Sequence, residues 1–206
     1  MSQTTSGADL QELDVRGMRK PDKHPTIFAR YAALPVGAAF VLVNDHDPKH
    51  LRDEFEADHG GGYRWEYLTR EPRNWRIRIT KLAAAPLPRL LADTTALATG
   101  SDAGGVRWTL PATQRDLDAN VIALPPGGTI GEHTGPDVDV LVHVLAGGGW
   151  MSTERDAVDL APGALVWLPR RSRRGFAAGP DGLRYLTVHQ RRQALVLEIA
   201  CPGGPR

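Results

Sequence analysis

Beyond Val106 the chain breaks into short apolar runs separated by Gly and Pro, and no stretch there carries the 3.6-residue spacing of a substantial helix. The runs fall at residues 106–110, 119–124, 138–145, 150–153, 157–160, 164–168, 173–177, 183–189 and 194–199. Strands this short, with turn residues at nearly every junction, predict a barrel or sandwich. No internal repeat links this half of the chain to the other.

The first 81 residues are patterned differently. A short strand is expected at 12–15, ended by Arg16-Gly17. Ile27, Phe28, Tyr31 and Leu34 then recur at helical spacing, with Pro25 suited to the first turn and Pro35-Val36-Gly37 as the stop. Phe40-Val41-Leu42-Val43 is a continuous apolar run of the kind a central strand carries. Asp47-Pro48 reads as an N-cap and first-turn pair for a second helix whose apolar side holds Leu51 and Phe55, and Gly60-Gly61-Gly62 ends it. Tyr63, Trp65 and Tyr67, then Trp75, Ile77 and Ile79, alternate across the turn Arg70-Glu71-Pro72-Arg73, which predicts a hairpin. The order βαβαββ defines a two-layer α/β sandwich. The expected fold class is therefore α+β: a sandwich over 11–81, a linker over 82–105 with a short helix or strand at 90–97, and an all-β barrel over 106–200. Residues 1–10 are expected to form a disordered polar leader.

Charge excludes some functions. The 25 basic and 24 acidic residues leave a net charge of +1, so no global field draws nucleic acid or an anionic membrane. No apolar run approaches the roughly 20 residues that span a bilayer, and the N-terminal ten residues lack the pattern of a signal peptide. A cytoplasmic protein is expected. The single cysteine, Cys201, rules out an intrachain disulfide.

The segments Leu13-Asp14-Val15-Arg16-Gly17-Met18, Leu34-Pro35-Val36-Gly37, Asn44-Asp45-His46-Asp47-Pro48 and Trp65-Glu66-Tyr67 resemble a TusA-related domain family of unknown function. In TusA a Cys-Pro motif between the first strand and first helix carries sulfur. Here that segment is Met18-Arg19-Lys20-Pro21-Asp22-Lys23-His24-Pro25, without cysteine, so a persulfide cannot form by this route. If the first two strands are parallel, both helices start at one sheet edge and bring His24 near Asp45, His46 and Asp47. Two readings stay open there: a site for a divalent metal or other ligand built on His24, His46, Asp45 and Asp47, or carboxylates that only cap the second helix. His50 and His59 read as surface residues.

The second half resembles a cupin, a jelly-roll barrel. The stretch Gly127-Gly128-Thr129-Ile130-Gly131-Glu132-His133-Thr134-Gly135 with its continuation to Gly147 follows the first cupin motif, and Leu160-Ala161-Pro162-Gly163 with its continuation to Pro169 follows the second. The resemblance implies three histidines and a glutamate as metal ligands; of those positions His133 is kept, while Gly135, Val140 and Arg174 stand at the others. A non-standard set from Glu132, His133 and Asp137 or Asp139 is the remaining metal option. Strand alternation with Val140 inward turns Val142 and Val144 inward as well, and Leu141 and His143 outward. His189 is assigned a structural role. The run Arg170-Arg171-Ser172-Arg173-Arg174 offers guanidinium groups suited to carboxylate or phosphate. Two readings again stay open: an anion site using His133, Arg174, Arg171 and Glu132, or a solvated turn paired with Asp137, Asp139, Asp156 or Asp159.

These features favour a small-molecule binding or sensing protein with a polar or anionic ligand. The alternatives are a cupin-type metalloenzyme of oxygenase or isomerase class and a protein-interaction module acting through the N-terminal domain. A homodimer through the outward face at Leu141 and His143 is also expected, with neither nucleic acid nor membrane as partner.

Overall fold

The computed structural model describes residues 10–99 and 104–191. The chain is sheet-rich with few helices, and it divides into two units: Met1–Leu90 with Pro111–Gln114, and Leu91–Leu110 with Arg115–Arg206.

The first unit contains strand β1 (Glu12–Asp14), helix α1 (Lys20–Ala32), strand β2 (Ala39–Asn44), helix α2 (Lys49–His59) and the hairpin β3 (Tyr63–Glu71) and β4 (Asn74–Lys81). The sheet order is β1-β2-β4-β3, with β1 parallel to β2 and the other pairs antiparallel. Strand β2 is central, which accounts for its unbroken apolar run. Phe40 and Leu42 face a core with Ile77 and Ile79, and α1 and α2 close it with Ile27, Tyr31, Leu51 and Phe55. Val41 and Val43 face the opposite side and are buried too. Their partners in the ladder are Arg78 and Arg76, whose guanidinium groups pair with Glu66 and Glu12.

Two local expectations are corrected. Helix α1 starts at Lys20, so Pro21 takes the first-turn place and Pro25 lies inside the helix. The extra upstream turn is polar, running from exposed Lys20 and Pro21 to half-buried Asp22 and Lys23, which is why apolar spacing could not locate it. Helix α2 has Pro48 at its N-cap and no side-chain cap; Asp47, expected in that role, instead accepts the Tyr67 hydroxyl at 2.9 Å. At the other end of α1, Lys81 donates to the Ala32 carbonyl at 2.8 Å, satisfying an orphan acceptor from a neighbouring strand.

The second unit opens with a short helix α3 (Thr94–Ala98), capped by Asp93 through the Thr95 N–H. Seven strands follow: β5 (Gly105–Thr109), β6 (Leu117–Leu124), β7 (Thr129–Thr134), β8 (Val140–Ser152), β9 (Ala157–Leu160), β10 (Leu165–Leu168) and β11 (Arg173–Gln190). They form one sheet in the order β10-β8-β11-β6-β5, with β7 on β11 and β9 on β8. The runs expected at 138–145 and 150–153 are one strand, β8, and those at 173–177 and 183–189 are one strand, β11. Glycine makes that continuity possible, since a Cβ at Gly147 or Gly149, both at positive φ, would enter the backbone of Gly182 or Ala177. Strand β7 carries no apolar alternation and is mostly exposed, so no periodicity in the sequence marks it. The strand expected at 194–199 and the leader at 1–9 lie outside the described residues. The core gathers Val140, Val142, Val144, Leu183 and Tyr185, with Phe176 stacked on Tyr185 at 5.2 Å.

Candidate functional site

The sequence points to two places, one in each unit. In the first unit the parallel β1–β2 pair brings both helix starts to one sheet edge, as expected, and a cleft of about 280 Å³ lies there. His24 and His46 both line it, as does Asp47. The expected metal set is nevertheless not assembled. His24 Nδ1 lies 2.9 Å from Glu54 Oε2, His46 Nδ1 lies 2.7 Å from Asp45 Oδ1, and Asp47 is taken by Tyr67. Among the described residues, no group of three or more His, Cys, Asp or Glu is placed to hold a metal ion. The hydrogen bond from His46, helped by the charge of Lys23, holds the Asp45 carboxyl below the usual carboxylate range. Glu54 was absent from the sequence reading, because its pairing with His24 joins two helices 30 positions apart.

In the second unit the arginine run resolves into two kinds of residue. Arg170 donates its backbone N–H to Asp139 at 2.9 Å, and that bond foremost keeps the Asp139 carboxyl below its ordinary range. Arg171 forms a bidentate pair with Asp137 at 2.9 and 3.0 Å, which raises the guanidinium pKa. Arg173 pairs with Glu132 at 3.2 Å. These are exposed ion pairs, each worth little in water.

Arg174 differs. It is 4% exposed. Its Nη1 donates to the Ser172 carbonyl at 2.9 Å and the Ser172 hydroxyl at 2.8 Å, with the Pro169 carbonyl further off at 3.4 Å. No carboxylate among the described residues pairs with it, and burial lowers its pKa. The guanidinium lies over Gly135, where an added Cβ would fall inside it, so the absent side chain at 135 is what makes room for it. Arg174 lines a pocket of about 420 Å³ whose other polar members include Arg155, Arg173, Ser172 and Thr153 and two carboxylates, Glu154 and Asp156.

His133 sits opposite Arg174 in the β7–β11 ladder but is exposed, with its Nδ1 2.9 Å from the Gly131 carbonyl oxygen, and it does not line that pocket. Of the four expected anion-site residues, the structure therefore places Arg174 alone on the pocket and leaves Arg171 and Glu132 in surface pairs. Arg155 and Thr153 were missed, and their only signal was position in the turn after β8. Val140, Val142 and Val144 point inward, and Leu141 and His143 outward, as alternation predicts. Beside them on β10, Leu165 is 69% and Trp167 61% exposed.

Residues 12–81 match the model of a family described as "Uncharacterized conserved protein (DUF2249)". No curated protein matches the chain. Among solved structures, a conserved protein of unknown function from Streptococcus pyogenes is 24% identical, covering 52% of this chain and 92% of its own, with a TM-score of 0.42. A cupin protein from Bacteroides fragilis is 17% identical, covering 46% of this chain and 82% of its own, with a TM-score of 0.36. A cupin 2 conserved barrel domain protein from Rhodopseudomonas palustris is 20% identical, covering 40% of this chain and 57% of its own, with a TM-score of 0.37. At these scores none of them assigns a site residue here.

Proposed function

We propose that the protein binds a small anion, a carboxylate or phosphate group, at Arg174 in a cupin-like second unit, with the first unit as an accessory TusA-like domain. The observation that carries this reading is a buried guanidinium that makes no ion pair among the described residues, on the wall of a pocket also lined by Arg155, Arg173, Glu154 and Asp156. A charge largely removed from water is costly without a counter-charge, and a bound oxyanion would offset that cost through Nε and Nη2, which make no hydrogen bond to another described residue and still reach solvent. Binding is favoured over metal catalysis because, among the described residues, His133 belongs to no group of three or more His, Cys, Asp or Glu placed to hold a metal ion. The experiment is thermal unfolding of the full chain at low salt with acetate, succinate and inorganic phosphate. At least one should raise the midpoint, by the linkage of ligand to the native state, and Arg174→Ala should remove the rise. An equal rise in the variant would refute the assignment.

The exposed Leu141, Leu165 and Trp167 form an apolar outer face through which we place self-association. Sedimentation equilibrium should give a dimer that Leu165→Glu with Trp167→Glu converts to a monomer. A monomeric wild-type chain would reject this interface.

A further inference from the structure

We propose that the pocket at Arg174 takes an amino carboxylate, a small molecule with a carboxylate at one end and an ammonium group at the other. This rests on the reading of Arg174 as an anion site and adds a second pole to it. The pocket carries both signs of charge, since Arg155, Arg173 and Arg174 line it together with Glu154 and Asp156. Asp139, Asp137 and Glu132 are each matched by an arginine of the run 170–173, whereas the two carboxylates on the pocket wall are not. Among the described residues neither Glu154 nor Asp156 makes an ion pair, although Arg155 stands between them in the chain.

The strand register brings the two poles together. Ser152 and Gly175 are ladder partners at the end of the β8–β11 pairing, so Thr153 and Arg174 are the next positions on the two strands. Residues 153–156 close the β8–β9 hairpin, because Ser152 also pairs with Ala157. The loop is tied across its base: the Thr153 N–H and hydroxyl both donate to the Asp156 carbonyl at 2.8 Å, and the hydroxyl oxygen accepts the Asp156 N–H at 3.1 Å. Two unmatched carboxylates thus rise from a tied turn beside a guanidinium that is 4% exposed.

Arg174 alone would suit any oxyanion. The carboxylates narrow the choice, because they repel a second negative charge on the ligand and attract a positive one. Phosphate or a dicarboxylate would bring the wrong sign to that wall, and a plain monocarboxylate would leave it unanswered. An ammonium group on the same ligand answers it, while the ligand's carboxylate takes Nε and Nη2 of Arg174 in the planar, two-pronged manner that guanidinium groups favour. The volume of about 420 Å³ falls within the roughly 300–1,000 Å³ of small-molecule sites, which leaves room for a chain of several carbons between the two ends.

The test is a 1H–15N titration of the labelled full chain at neutral pH and low, matched ionic strength. It compares butanoate, pentanoate and hexanoate with γ-aminobutanoate, δ-aminopentanoate and ε-aminohexanoate. The Arg174 Nε–H reports the carboxylate end, and the amides of residues 153–156 report the ammonium end. At least one amino acid should bind about threefold more tightly than its parent acid, the size expected of exposed ion pairs, and should move the 153–156 amides as it binds. Glu154→Gln with Asp156→Asn should erase that preference and tighten the parent acids, since two negative charges leave the wall. Amino acids that bind no better than their parents, or a preference that survives in the double variant, would overturn this inference; parent-acid binding that is lost in Arg174→Ala would still uphold the anion site. Failure of every compound to shift the Arg174 Nε–H would overturn both.

Discussion

Phe55→Ala is expected to cost the first unit about 3–5 kcal/mol, the range for deleting a buried aromatic side chain. Phe55 is fully buried between the helices and the sheet. It stacks on Phe28 at 4.6 Å and meets Tyr31 at 5.0 Å, Tyr63 at 5.4 Å and Trp65 at 5.7 Å. Few rearrangements could fill the space, because these four rings are held by α1 and β3. Urea unfolding followed by tryptophan fluorescence should show an early transition in the variant, reported by Trp65 and Trp75. The second unit, with its own core, should unfold at an unchanged denaturant concentration, so a two-step curve is expected rather than a uniform shift. An unchanged first transition would contradict the assignment of this ring cluster as the centre of the unit.

Gly135→Val should have the second large effect, this time on binding. Any Cβ at 135 occupies the space of the Arg174 guanidinium. The arginine must leave its hydrogen bonds to Ser172, and overpacking of this kind costs about 1–3 kcal/mol. The thermal response to carboxylate or phosphate should vanish with it. Adding Arg174→Ala should then recover most of the lost stability, giving a coupling of about 0.5–3 kcal/mol between the two positions. Additive losses in the double variant would show that Gly135 acts through the backbone and not through Arg174. Thermal unfolding of the four proteins supplies the whole cycle.

Periodicity was sufficient for the elements that have a buried face. The continuous run at Phe40–Val43 called for cover on at least one face, and the structure supplies it through the helices that pack over Phe40 and Leu42. Val140, Val142 and Val144 turned inward because alternation left no other choice. What escaped the sequence had no such face. Strand β7 is an exposed partner of β11, so its Thr-Ile-Gly-Glu-His-Thr carried no pattern to detect. Asp47 looked like a cap because capping is local, while its actual partner, Tyr67, comes from a strand 20 residues later.

The candidate sites were legible to a similar depth. Parallel pairing of β1 and β2 brought His24 and His46 to one cleft, but whether they faced each other or separate carboxylates depended on Glu54 and Asp45. The arginine run was visible as charge. Which member was buried was not, because that depends on the β7–β11 register and on the missing side chain at Gly135. Three of the five positions from 170 to 174 pair with Asp139, Asp137 and Glu132, and only the three-dimensional turn sorts them from Arg174.

The central claim is that Arg174 waits for an anion, and its own Nε–H resonance is the most direct witness. In a 1H–15N spectrum of the full chain at low salt, that signal should move saturably as a carboxylate or phosphate is added, with the same affinity that thermal unfolding reports. An Arg174 signal that stays fixed while the protein binds the anion would contradict the account.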